Sequence, residues 1–152
     1  MIPIAQEHPV QDDLKLLHER HTIDMHADTP PESIHMLPAD ALAAPGIWFY
    51  VMRDGGRPVG MGAFKRIDGT HAEVKSMHIL AEERGRGLAR VMVEHLIKEA
   101  KAQGFERLSL ETGVQPTFVA ARALYERVGF EVCGPFEGYW DDPNSVFMTR
   151  AI

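Results

Sequence analysis

The sequence predicts a single α/β domain, and three observations carry that expectation. The chain has 152 residues, a length suited to one domain with a sizeable core. A hairpin-rich first half, with turn residues at Asp54-Gly55-Gly56-Arg57 and Asp68-Gly69, separates three runs of strand character. A second half then alternates helical and strand-like periods, which is the pattern of a mixed α/β layer.

Taken in order, residues 2–6 form a short first strand. Residues 12–21 form a helix with Leu14, Leu16 and Leu17 on its apolar face. Between 28 and 45 four prolines (Pro30, Pro31, Pro38, Pro45) leave room only for a short helix over 32–37. Residues 48–53, 59–67 and 72–80 are strands. In the third of these, alternation puts Glu73, Lys75, Met77 and Ile79 on one face and Val74, Ser76 and His78 on the other. From residue 88 to Gly104 runs an amphipathic helix, with Leu88, Val91, Met92, Leu96 and Ala100 on one side and Arg90, Glu94, Lys98 and Lys101 opposite. Residues 107–112 are a strand with Leu108 and Leu110 on one face. A helix over 116–128, a strand over 130–133 and a final strand over 145–151 complete the order.

Composition excludes several classes. Hydrophobic residues are 45% and charged residues 25%, as in ordinary soluble domains. A formal net charge of −6 opposes general nucleic-acid binding and suits a cationic substrate. Cys133 is the only cysteine, so an intrachain disulfide is excluded and a reducing cytoplasm is the expected compartment. No signal-like segment and no membrane-length apolar run is visible, so no membrane partner is expected. His18 and His21 are three apart with no third ligand at a natural spacing, so no metal is expected.

The most informative segment is Arg84-Gly85-Arg86-Gly87-Leu88-Ala89, placed between a strand and the strongest helix. Glycines admit close approach of backbone N–H groups, and a new helix leaves its first amides without intrahelical partners. Together with the helix dipole and Arg84, Arg86 and Arg90, they form a site for a phosphate or pyrophosphate. The loop lacks the Gly-Lys-Ser/Thr ending of a P-loop and the three-glycine spacing of a dinucleotide fingerprint.

Arg84-x-x-Gly87-x-Ala89 resembles the Arg/Gln-x-x-Gly-x-Gly/Ala signature of the GCN5-related N-acetyltransferases, the GNAT superfamily. Two further segments are similar to that family in order and spacing: residues 72–79, matching its fourth strand, and Ala121-Arg122-Ala123-Leu124-Tyr125-Glu126-Arg127-Val128-Gly129-Phe130. The resemblance implies a single GNAT domain over 1–152, with a mixed, mostly antiparallel central sheet flanked by helices. It implies acetyl-CoA as cosubstrate and a primary amine, small or peptidic, as acceptor. Residues 84–90 would hold the pyrophosphate, with Met77, His78 and Ile79 beside the pantetheine arm and Phe118 and Ala121 across from them. Many relatives carry asparagine where this chain has Phe118, so one side-chain hydrogen bond to the coenzyme is absent. Relatives often pair, which makes a homodimer an open expectation.

The resemblance also supplies catalytic candidates. Tyr125 matches the tyrosine near the thioester sulfur and is the candidate acid. Glu73, eleven residues before Arg84, matches the glutamate base of the histone acetyltransferase branch; His78 and bulk water are the alternatives. A base is needed because an amine of pKa ~10.4 is neutral in only about one molecule in 2,500 at pH 7, a penalty near ~4.6 kcal/mol. Ser33 and His35 on one side, and Tyr139, Trp140, Asp141 and Asp142 on the other, are expected at the walls of the acceptor cleft. A coenzyme sensor without turnover and a coenzyme-free interaction domain are the competing readings.

Overall fold

The computed structural model describes residues 2–152 and is built on one seven-stranded sheet. Strands β1 (Ile4–Gln6), β2 (Ile47–Asp54), β3 (Arg57–Arg66) and β4 (His71–Ile79) form an antiparallel meander. Strand β5 (Arg107–Gly113) joins β4 in parallel, and β7 (Ser145–Ala151) lies between β5 and β6 (Glu131–Cys133), antiparallel to both. The spatial order is therefore β1-β2-β3-β4-β5-β7-β6. A parallel neighbour requires a crossover, and helix α2 (Leu88–Ala102) supplies it between β4 and β5.

Side-chain alternation along β2 divides the core. Tyr50 and Met52 join the cluster under α2 and α3 (Val119–Arg127), while Phe49 and Val51 join a second cluster under α1 (Lys15–Ala27). Phe64 is fully buried in the first, stacked on Trp48 (5.0 Å) and Tyr50 (6.1 Å) and met edge-on by Phe105 (6.0 Å). Arg53 ties the N-terminal segment to the sheet through Glu7 (2.8 Å) and Asp13 (2.6 Å).

Four expectations are corrected. A 3-10 turn over Asp12–Leu14 leads into α1, which continues to Ala27; Leu14, Leu17 and His21 turn inward, leaving Leu16 46% exposed. The helix expected over 32–37 is a single 3-10 turn at Pro31–Ser33, since the paired prolines start a turn that nothing downstream propagates. On α2 the buried stripe is Leu88, Met92, Val93, Leu96 and Ala100. Val91 faces solvent, because 100° per residue carries it off the stripe that Val93 joins.

The fourth correction matters most. Strand β4 contains a bulge: Met61 pairs with His78 but Ala63 pairs with Lys75, so Ser76 and Met77 together oppose Gly62. Ser76 adopts φ 54°, a left-handed conformation that costs on the order of 1–3 kcal/mol for a residue other than glycine. The extra residue flips the alternation. Glu73, Lys75 and His78 lie on the face away from α2, His78 against His21 of α1 and the other two beside His35 and Tyr139, whereas Val74, Met77 and Ile79 pack with the core under α2. Gly62 permits this, because a Cβ there would press on Met77 Sδ at 3.1 Å and Met92 Cγ at 3.0 Å.

Phe64→Ala should lower unfolding free energy by about 3–5 kcal/mol, the usual loss for an aromatic removed from a tight core. Urea denaturation followed by tryptophan fluorescence measures it.

Candidate active site

Strands β4 and β5 pair only over His71–Glu73 and Arg107–Ser109; beyond that point the ladder ends. The β5-facing edge of β4 from Val74 onward therefore has no neighbouring strand, and a cleft opens there. Its volume is about 600 Å³, bounded by β4, the loop before α2, the inner face of α1 and the start of α3. A smaller cavity of about 120 Å³ lies on the β5 side. Tyr125, Phe118, Ala121, Met77, His21 and Met25 line both, so the two spaces meet at the Tyr125 side chain.

At the outer end of the cleft the loop is shaped for an anion. Gly85 and Gly87 have φ 86° and 75°, which glycine adopts without strain. The first helical bond runs from the Val91 amide to the Gly87 carbonyl (3.2 Å). The amides of residues 85–90 find no acceptor among the described residues. Arg84 and Arg90 border the cleft, held by Asp24 (3.1 Å) and Glu94 (2.7 Å) respectively. Further in, Met77, Ile79, Leu88, Ala89, Ala121 and Leu124 make an apolar channel. Free amides, two cations and a long apolar trough fit a coenzyme A molecule, whose diphosphate and extended arm need those surroundings.

Every residue assigned from the sequence to the coenzyme lines this cleft except Arg86. Arg86 turns away and donates to Asp54 (3.2 Å) and Glu83 (3.3 Å), so it braces the loop against β2 instead of entering the site. Phe118 is half-buried and borders both spaces. Its ring packs over Gly113, where any Cβ would collide with it.

Of the expected wall residues, His35 and Tyr139 line the small cavity, whereas Ser33, Trp140, Asp141 and Asp142 lie outside its lining. Ser33 donates to Asp142 (2.6 Å), and the His35 ring stands edge-on to Tyr139 (4.9 Å) and Trp140 (5.1 Å). Within it, Glu73 is buried, accepts a hydrogen bond from the Tyr139 hydroxyl and pairs with Lys75 (3.1 Å). Burial and the Glu73 carboxylate hold the Tyr139 phenol protonated. Glu111, on the same side of β5, has its carboxyl pushed up to about 7 by burial, with Lys75 opposing and Glu73 adding to the rise. Tyr125 is buried, and burial alone pushes its hydroxyl up to about 12. His78 and His21 meet at 5.4 Å, each held near 4 mainly by burial, so both are neutral at pH 7. The Nε2 of His78 is buried and has no partner.

Sequence reading missed His21, Asp24 and Met25, which follow from continuing the 14-17-21 spacing of α1 by one more turn. It also missed Glu111. Leu108 and Leu110 had fixed the core-facing side of β5, so residues 109 and 111 had to face the side of Glu73. Among the described residues no group of three or more His, Cys, Asp or Glu could hold a metal ion, and no helix is long and apolar enough to cross a membrane.

Comparison with known proteins identifies the family. A sequence model of the acetyltransferase (GNAT) family matches residues 14–130. The uncharacterized N-acetyltransferase YsnE of Bacillus subtilis is 46% identical over 132 residues, covering 87% of each chain. The IAA acetyltransferase of Azospirillum brasilense is 40% identical, covering 99% of this chain and 98% of its own. A Bacillus subtilis acetyltransferase crystallised in complex with CoA shares the fold, with TM-score 0.74 at 16% identity over 100% of this chain and 99% of that one. The chain belongs to the GNAT family of acetyltransferases. It is an acetyltransferase, and the family uses acetyl-CoA.

The raised Glu111 carboxyl links stability to pH. It binds its proton more tightly folded than unfolded, so it favours the fold below pH 4.5 and loses that contribution as pH rises towards 7. Glu111→Gln should therefore match the parent near pH 4.5 and be more stable by roughly 1–3 kcal/mol at pH 8. Urea titrations at both pH values measure it.

Proposed function

We propose that the protein transfers the acetyl group of acetyl-CoA to a primary amine by direct attack, in the cytoplasm. The observation that carries this reading is the meeting of two unlike spaces at Tyr125: a long trough ending in free amides and arginines, and a small acidic cavity. Bound in the trough, acetyl-CoA supplies an acetyl group activated as a thioester.

The chain's own groups do the rest. Glu73 and Glu111 face one cavity and act as a carboxylate pair that accepts the ammonium proton, freeing the nitrogen lone pair. A carboxyl near 7 is matched to that task. The weakly basic His78 serves as wall, not as proton acceptor. Main-chain donors on the unpaired edge of β4, near residues 77–79, offer hydrogen bonds to the carbonyl oxygen as it gains charge. As the carbon–sulfur bond breaks, Tyr125 gives its proton to the departing sulfur. A phenol of pKa about 12 is fully protonated beforehand and reprotonates readily afterwards. Cys133 lines neither space, and burial pushes its thiol up, which supports transfer without a covalent enzyme intermediate. No observation favours a sensing module or a coenzyme-free interaction domain.

Thiol release from acetyl-CoA over an amine library tests the reading. Tyr125→Phe should lower kcat by about 10²-fold or more while calorimetry gives an unchanged Kd for coenzyme A. Unchanged turnover with every accepted amine would remove Tyr125 from the mechanism, and absence of binding heat in the parent protein would remove the coenzyme.

A further inference from the structure

The charges of the small cavity restrict what the reacting nitrogen is attached to. Among the described residues Lys75 is the only lysine or arginine on its walls, and its hydrogens are already engaged. It donates to the Tyr139 hydroxyl (2.8 Å) and the His35 carbonyl (3.1 Å) and contacts the Glu73 carboxylate at 3.1 Å. Its side chain is only 11% exposed, so no face of the ammonium remains for an incoming anion. The His35 imidazole adds no charge, because burial and the Lys75 ammonium hold its basicity down. Against this spent cation stand two carboxyl groups, Glu73 and Glu111, and only one of them has a cationic partner.

The remaining walls are apolar or aromatic. Met25 and Met36 line the cavity, Tyr139 and His35 form one side, and Trp140 stands 52% exposed beside His35 at the rim. An ammonium group is welcome beside the two carboxyl groups that line the cavity, and a hydrocarbon or aromatic body beside His35 and Trp140. A carboxylate on the carbon beside the nitrogen is not, since it would lie against Glu73 and Glu111 with no counter-ion.

Resting on the acetyl-transfer reading above, we propose that the acceptor is a primary amine on an apolar body with no carboxylate beside the nitrogen, selected by Glu111 and the fully engaged Lys75. Free α-amino acids are rejected by like-charge repulsion, a device that sets specificity by excluding the wrong partner.

Three matched pairs test this by thiol release: 2-phenylethylamine against phenylalanine, tyramine against tyrosine, and 3-methylbutylamine against leucine. Each pair differs by one carboxylate. The amine should be favoured in kcat/KM on the order of a hundredfold, the scale at which like-charge juxtaposition discriminates. Glu111→Gln should narrow that ratio. Both members of a pair lose the same proton acceptor in this variant, so the ratio isolates recognition from chemistry. Equal or reversed preference in the parent protein overturns the proposal, as does an unchanged ratio in Glu111→Gln or turnover of none of the three amines. Calorimetry of acetyl-CoA on the same sample separates the failures. Retained binding heat confines the error to the acceptor, and lost heat takes the acetyl-transfer reading with it.

Discussion

The separation of β4 from β5 after three paired residues is the constraint on which the rest of the molecule depends. A sheet normally satisfies its backbone groups by continuing the ladder. Here the ladder stops in the middle of the sheet, between two strands that are otherwise well paired on their outer sides. The bulge at Ser76 bends β4 at the place where the partner is lost, and its left-handed backbone is held by the packing of Met77 against α2. What results is an opening lined by unused donors and floored by the hydrophobic core.

That opening keeps opposite charges apart. Its outer end is cationic and rich in amides; the inner cavity carries carboxyl groups around one engaged lysine. Between them lie apolar side chains and two histidines kept neutral by burial. The two charged regions are thus kept on opposite sides of the residues that line both spaces, Tyr125 among them, and do not neutralise each other. The overall charge of −6 gives no hint of this division, because the sum hides where the charges sit.

Much of this was legible in the sequence where periodicity is strong. The meander, α2, β5 and β7 follow from alternation, turn residues and the apolar stripe, and the loop at 84–90 follows from its glycines at a helix start. Other features left weak traces. Strict alternation cannot reveal an inserted residue, so the faces of Met77, His78 and Ile79 were misassigned. Helix α1 buries the polar His21 against His78 at the cleft, which erases the contrast that marks an amphipathic end. Arg86 reads as a phosphate ligand by composition, yet Asp54, thirty-two residues earlier, draws it away. Glu111 carries no signal of its own beside the alternating Leu108 and Leu110.

The placement of β7 between β5 and β6 bears on how the chain reaches this state. Strand β6 is not a sheet neighbour of β5, and among the described residues its ladder partner is β7, which follows it in the chain. On the ribosome, β1 to β4 and α2 can assemble as they emerge, whereas β5 keeps one edge bare until β7 clears the exit tunnel. The sheet on the Glu111 side is thus completed only when β7 enters between β5 and β6, and a nascent chain stalled before residue 145 would leave that edge of β5 bare.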